Sequence, residues 1–272
     1  MAEVFGRNGR AAGSASVASV RHYARLSVRL SFALVGLVAL LLAACGTNNG
    51  SGPPLAKSQT FSWPYFGTDQ MQHNAVMDPA MLTAAEDTGT INMLFSGLVT
   101  LKPNLSVEPD AATWTVDPTG TIYDFHLKHN LHFSDGTPIT ASDYAYSIDR
   151  ALDPNLCGVQ DAKSYGPGGA GSCTPNSPNI GDNYLSMILG ATDRVSGTIG
   201  TIIGQGSDQT HGLDVVDPYT LRIRLVHPVQ YFLEALTYPT SFPVERSLVQ
   251  KYPGGLFFDH LYEGGCSGPF NV

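Results

Sequence analysis

Three histidines lie close together in the chain, at positions 126, 129 and 132, and histidine is a common metal ligand. The residues around them alternate between apolar and polar types, which predicts a β-strand. Successive Cβ atoms of a strand point to opposite faces, so His126 and His132 share one face while His129 lies on the other. Three ligands cannot converge on one ion from that arrangement. We therefore predict exposed strand histidines and no metal site.

The rest of the chain contains no motif that is typical of an enzyme. It has neither a Gly-x-Ser-x-Gly nucleophile elbow nor a His-Glu-x-x-His zinc motif. The glycine-rich stretch 197–212 lacks the strand-to-helix context of a nucleotide-binding loop. We predict that the protein is not an enzyme and needs no cofactor. A secreted lipoprotein hydrolase and a surface adhesion module are the alternatives from other functional classes.

Residues 1–44 have the pattern of a secretory signal peptide. Three arginines precede the uncharged apolar run Leu30–Leu42, which would form ~20 Å of helix, too short for a bilayer core of ~30 Å. The run leads into Leu-Ala-Ala-Cys, which resembles the bacterial lipobox and makes Cys45 the predicted lipidation site. Two or more acyl chains there would anchor the protein to the outer face of the cell membrane. The alternative is a buried helix with a chance cysteine.

The remainder of the chain divides into a tether and a folded part. Residues 45–59 are small, polar and rich in glycine and proline, which is typical of a flexible linker. Residues 60–272 have a globular composition. Removing residues 1–44, with their five arginines and one glutamate, changes the formal net charge from −8 to −12. Such an acidic chain argues against nucleic acid as a partner.

Three cysteines remain after Cys45. Cys157 and Cys173 enclose fifteen residues of a stretch dense in glycine, proline and serine. An exported protein sits where disulfides persist, and closing a loop of this size is worth roughly 3 kcal/mol in the chain-entropy model. We predict a Cys157–Cys173 disulfide, with free thiols or another pairing as the alternatives. The partner of Cys266 stays open.

The most regular passage begins with a turn and ends with a helix. Asp117-Pro118-Thr119-Gly120 places its residues where a type I turn prefers them, between strands predicted at 114–116 and 121–133. Thr140 is the predicted N-cap of a helix, with Asp143 as the acid of its capping box. Tyr144, Ile148 and Leu152 follow at a spacing of four, which predicts a buried helical face.

Weaker patterns predict the other elements. The fold class that they indicate is α/β or mixed α+β, with a largely antiparallel or mixed sheet. Strands are predicted at 60–65, 98–101 and 220–226, helices at 87–96, 184–189, 229–236 and 243–252, and a loop-like insert at 156–183. The helix at 87–96 would bury Ile91, Leu94 and Phe95 and end at Gly97 as its C-cap.

Several of these segments together resemble the family 5 extracellular solute-binding proteins. The resemblance is closest in "YDFHLKHNLHFSDGTPITASDYAYSIDRALDP", residues 123–154. The shorter segments that share it are Met77-Asp78-Pro79, "LFSGLVTL" at 94–101, "EPDAATWTV" at 108–116, residues 214–244, and "CSGPFNV" at 266–272. It extends over residues 61–272 in order.

The resemblance implies a type II periplasmic-binding-protein-like clamp that captures oligopeptides or dipeptides for the permease of an ABC importer, as a monomer. Only the first lobe of that clamp is expected here. Within it, Thr83, Ala84 and Ala85 correspond to residues that pair with the ligand backbone, and Tyr165 to an aromatic ligand contact. Other family members bind nickel chelates, haem or oligosaccharides. One lobe alone would leave its peptide hydrogen bonds wet, so we expect this chain to bind peptide no better than at about millimolar concentration.

Overall fold

The computed structural model describes residues 77–82, 88–156, 180–204, 210–253 and 256–270. The predictions made for the signal peptide, the tether, the strand at 60–65 and most of the insert lie outside these ranges. Among the helices of the described ranges, none combines the length and the apolar character that crossing a membrane requires.

A five-stranded sheet forms the centre of the described fold. The strands of the described residues are β1 Val99–Leu101, β2 Val107–Pro109, β3 Ala112–Val116, β4 Ile122–Leu127, β5 Ile203–Gly204, β6 Leu213–Asp217 and β7 Thr220–Arg224. The order of strands in the sheet is β3-β4-β7-β6-β5, and every neighbouring pair is antiparallel except β5 and β6, which run parallel. A separate antiparallel pair, β1 and β2, lies before the sheet in the chain. The prediction of a mixed α/β fold with a mixed sheet is confirmed.

The predicted turn joins β3 to β4. Asp117 accepts hydrogen bonds from the Thr119 hydroxyl at 2.5 Å and from the backbone N–H groups of Thr121 and Ile122 at 3.0 and 2.9 Å. Gly120 takes a φ of +72°, a conformation that costs glycine nothing. The Thr119 hydroxyl and the backbone donors lower the pKa of Asp117 to about 2. The turn is therefore held by its own side chains.

Strand β4 is shorter than predicted, since it ends at Leu127 and not at Phe133. Its neighbour β7 begins at Thr220, opposite His126, directly after the turn that contains Pro218. Beyond that point Leu127 N donates to Tyr219 O and Lys128 N to Ala111 O. The alternation of side chains continues past Leu127, but the neighbouring strand does not. The prediction of a strand through Phe133 was therefore wrong.

Helix α2, Ala141–Ala151, confirms the predicted capping and burial. The Asp143 carboxylate accepts hydrogen bonds from the backbone N–H and the hydroxyl of Thr140, both at 2.8 Å. Tyr144 and Ile148 are buried against the sheet, and Leu152, at the C-cap, is buried too. The Tyr144 hydroxyl donates to Ser96 O at 3.2 Å, which connects α2 to the loop before β1.

The boundaries of the other helices differ from the predictions. The helix predicted at 184–189 lies earlier, and those predicted at 229–236 and 243–252 begin later. The last of these begins late because the chain after Pro243 stays extended while Val244 N donates to Ser147 Oγ. The α-helices are α1 Thr88–Leu94, α2 Ala141–Ala151, α3 Ile180–Leu185, α4 Ala191–Val195, α5 Phe232–Ala235 and α6 Arg246–Lys251. Within the described residues, 3₁₀ helices lie at Pro79–Met81, Pro239–Ser241 and Leu256–Glu263.

Helix α1 buries Ile91, Leu94 and Phe95 as predicted, but Gly97 is not a left-handed C-cap. A Cβ on Gly97 would lie 2.6 Å from Cε1 of Phe242, so this glycine is required for close packing instead. The end of α1 is capped by a distant segment, because Ser267 N and Gly268 N both donate to Leu94 O.

Candidate ligand-binding region

The segment predicted to bind ligand backbone lies between two well-defined elements. Thr83, Ala84 and Ala85 themselves are outside the described residues. The first 3₁₀ helix, Pro79–Met81, and the buried Leu82 precede them, and α1 begins at Thr88 after them. The structure therefore defines where this segment starts and ends in the fold.

Asp78 anchors the start of that segment. Its carboxylate caps the first 3₁₀ helix by accepting a hydrogen bond from Ala80 N at 3.0 Å. It also binds Arg150 of α2 through two hydrogen bonds, of 2.8 and 2.5 Å. Asp78 is fully buried, and the guanidinium of Arg150 lies 5.4 Å from the centre of the Phe257 ring. This buried ion pair fixes the approach to residues 83–87 against helix α2.

The second 3₁₀ helix, Pro239–Ser241, packs against the first. Ser241 donates its hydroxyl hydrogen to Leu236 O at 2.6 Å. Just before this helix, Tyr238 stacks on Tyr184 of α3 with ring centres 3.7 Å apart and planes 8° apart. Burial, with a smaller contribution from the neighbouring Tyr184, raises the pKa of Tyr238 to about 12. Tyr238 is therefore neutral at physiological pH, and the stacked pair presents an aromatic surface beside the two 3₁₀ helices.

A cavity of about 520 Å³ lies beside the C-terminal half of α2. Asp149 and Asp153 both contact Arg194, at 3.5 and 3.1 Å, and all three residues line this cavity. The Asp149 carboxylate also accepts a hydrogen bond from Ile202 N at 2.7 Å. The acidic side chains of Asp149 and Asp153 are thus paired with Arg194 within the lobe. A second cavity, of about 230 Å³, lies beside Asp110.

The chemically reactive residues of the sequence do not come together in the described part of the chain. His126, His129 and His132 are all exposed, and His129 stacks on Tyr219 at 4.1 Å. Across the described ranges, no group of three or more His, Cys, Asp or Glu side chains is placed to hold a metal ion. Cys266 is buried, and its carbonyl accepts a hydrogen bond from Ser134 N at 2.8 Å.

Four kinds of predicted site lie outside the described residues: the lipidation site Cys45, the ligand segment Thr83–Ala85, the aromatic contact Tyr165, and the disulfide Cys157–Cys173. They stay predictions. The pairing of Asp78 with Arg150 and that of Tyr184 with Tyr238 were not predicted from the sequence. Two features indicate the first pair: Asp78 caps a helix in a buried position, and Arg150 lies on the buried side of α2.

The fold is that of the OppA-type periplasmic binding proteins. The structure matches an oligopeptide-binding protein, OppAIV, from Borrelia burgdorferi with a TM-score of 0.56 and 26% identity, over 73% of this chain and 34% of that chain. It matches Listeria monocytogenes OppA bound to peptide with a TM-score of 0.55 and 24% identity, over 72% of this chain and 33% of that chain.

A model of the bacterial extracellular solute-binding proteins, family 5 (Middle), matches residues 106–272. The chain belongs to this family, as the sequence resemblance predicted.

Two relatives from Escherichia coli (strain K12) illustrate the range of ligands named in the family. The oligopeptide-binding protein OppA is 25% identical over 241 residues, which is 85% of this chain and 39% of OppA. A probable deoxycholate-binding periplasmic protein, YgiS, is 28% identical over 222 residues, which is 80% of this chain and 36% of YgiS. The chain thus spans little more than a third of the length of these relatives.

Proposed function

We propose that this chain is part of the substrate-binding component of an ABC importer and captures oligopeptides or dipeptides outside the cell membrane. The observation that carries the proposal is the OppA-type fold of a family 5 member, several of whose relatives are named as peptide-binding proteins. A bound peptide would lie between this lobe and a second one, with a permease as the protein partner. The role is binding and delivery without catalysis.

The geometry of the lobe supports a specific mode of binding. Thr83, Ala84 and Ala85 would offer backbone groups to an extended peptide, because the Asp78–Arg150 pair holds the preceding turn in place. Tyr165 would add an aromatic contact. Hydrogen bonds to the ligand backbone do not depend on the side chains of the ligand, so binding of this kind tolerates many peptide sequences.

Uptake by the source organism tests the proposed ligand class. Deleting the gene is expected to abolish uptake of radiolabelled alanine tripeptides and pentapeptides, because no receptor would deliver them to the permease. Uptake of free alanine is the control and should not change. Normal peptide uptake combined with a loss of deoxycholate, nickel-chelate, haem or oligosaccharide uptake would contradict the peptide proposal and identify the ligand class.

We further propose that residues 1–44 are removed on export and that Cys45 then carries the lipid anchor, followed by the tether 45–59 and a folded lobe at 60–272. The basic residues, the short apolar run and the Leu-Ala-Ala-Cys sequence support this. Mass spectrometry of the membrane-associated protein should show an N-terminal peptide that begins at a diacylglyceryl-modified Cys45. A chain beginning at Met1, or an unmodified Cys45, would contradict the proposal.

A further inference from the structure

Asp110 occupies an unusual position between β2 and β3. Its backbone N–H donates to Leu98 O at 3.2 Å, which holds the residue against β1. Its side chain is half-buried and lines the cavity of about 230 Å³ that lies between α1, β1 and the chain around Thr237. Liquid water occupies about 30 Å³ per molecule, so the cavity has room for a group of several heavy atoms.

The carboxylate of Asp110 lacks a hydrogen-bond donor in the described part of the chain. Among the described residues none donates a hydrogen bond to it, in contrast to Asp117, which receives three or more, and to Asp78, which binds Arg150. Burial raises the pKa of Asp110, and Glu108 adds to that increase while the positive charge of Lys128 opposes it. A carboxylate that is half removed from water without a donor is destabilised in its charged form.

The other polar side chains of the cavity can accept hydrogen bonds from a bound donor. The hydroxyl hydrogen of Thr237 is already donated to Glu234 O at 2.7 Å, so its lone pairs are what remain for a guest. Thr100 adds a hydroxyl and Asn92 a carboxamide to the lining, and each has an oxygen that can accept a hydrogen bond. The buried rings of Phe95 and Phe242 form the apolar wall. A negative group with additional acceptors and an apolar wall is complementary to a cation on a short carbon chain.

From this arrangement we propose that the Asp110 cavity binds a primary ammonium or guanidinium group. The carboxylate would accept charge-assisted hydrogen bonds from the guest, and the carbon chain of the guest would pack against Phe95 and Phe242. The proposal goes beyond the capture of a peptide backbone and needs only residues of the described lobe. The cation has two sources, a lysine or arginine side chain of a peptide or a free small amine, and both bring the same chemistry.

NMR titration of the isolated chain with n-butylammonium and with guanidinium tests this site. Both cations should shift the backbone amide signals of Gly97, Thr100 and Asp110 with a saturable dependence, whereas the neutral n-butanol and urea should not. Asp110→Asn keeps the shape of the side chain and should weaken n-butylammonium binding about tenfold or more, since it removes the charge-assisted partner. Glu108→Gln is the matched control, because it removes one nearby negative charge outside the cavity lining.

The protonation of Asp110 supplies a second readout that does not depend on a variant. Cation binding favours the charged carboxylate, so the pKa of Asp110, followed by its ¹³C signal, should move down when n-butylammonium is present. An unchanged pKa, equal binding by Asp110→Asn, or an equal loss in Glu108→Gln would each overturn the proposal. If N-acetyl-Ala-Lys-Ala binds more tightly than n-butylammonium and N-acetyl-Ala-norleucine-Ala, which has no ammonium group, does not bind, the source is a peptide side chain. Equal binding of the first two indicates any amine. Because every probe acts on one lobe, failure here leaves the peptide-uptake result unaffected.

Discussion

Replacing Arg150 by methionine is expected to lower the free energy of unfolding by about 3–5 kcal/mol, because it leaves the carboxylate of Asp78 buried without its cation. Asp78 is 0% exposed and Arg150 is 8% exposed, so water cannot replace the lost partner. The substitution keeps most of the side-chain volume beside Phe257, which limits any contribution from an empty space.

The matched control for this variant is Arg222→Met. Arg222 binds Asp124 with the same two-point geometry, at 2.7 and 2.8 Å, but the side chains are 36% and 25% exposed. Water then takes the place of the missing partner, and we expect a loss of about 0–1 kcal/mol. Urea unfolding of both variants gives the comparison. Equal losses in the two variants would contradict the assignment of Asp78–Arg150 as a buried anchor.

This pair also has a functional consequence. Asp78 caps the turn that leads to residues 83–87, and Arg150 belongs to α2, whose buried apolar residues pack on the central sheet. The pair therefore connects the turn before the proposed ligand segment to α2 and, through α2, to the sheet. A scaffold that holds such a segment still reduces the entropy lost when a peptide binds. Under the proposed function, the regular passage at 123–154 would thus support the binding site.

Elements that are determined by neighbouring residues could be predicted from the sequence. The capping of α2 by Thr140 and Asp143, and the turn at Asp117, depend on hydrogen bonds over two to five positions. The end of β4 could not be predicted in the same way. It depends on where β7 begins, almost a hundred residues later in the chain. The length of β4 is therefore a property of the sheet and not of its own side-chain pattern.

The candidate site was harder to predict because its contacts are distant in sequence. Asp78 and Arg150 are 72 positions apart, and Tyr184 meets Tyr238 only because α3 packs near the second 3₁₀ helix. Asp110 has no sequence signal at all. A charged residue between two short strands is normally solvated, and only the surrounding elements bury it.

Gly268→Ala is expected to destabilise the lobe by about 2–4 kcal/mol. A Cβ at this position would lie 2.6 Å from Phe95 N, 2.7 Å from Leu94 C and 2.7 Å from Met93 O. All three are backbone atoms of α1 and the residue after it, so no side chain can rotate away to make room. The segment would have to move, and the hydrogen bonds of Gly268 N to Leu94 O at 2.8 Å and of Phe270 N to Met93 O at 3.1 Å would be lost.

Gly89→Ala is the matched control, since Gly89 lies in α1, the helix against which Gly268 packs, with nothing within 4 Å of an added Cβ. Alanine there should leave stability unchanged or raise it by up to about 1 kcal/mol, because glycine is the poorer helix former. Thermal unfolding of both variants measures the difference, and a Gly268→Ala variant as stable as the wild type would contradict the close packing. The resemblance to family 5 implies that residues 266–272 lie where the chain passes into a second lobe. Because residues 267–270 hydrogen-bond to the C-terminal end of α1, the helix that follows the proposed ligand segment, we expect that crossing to be coupled to the proposed site.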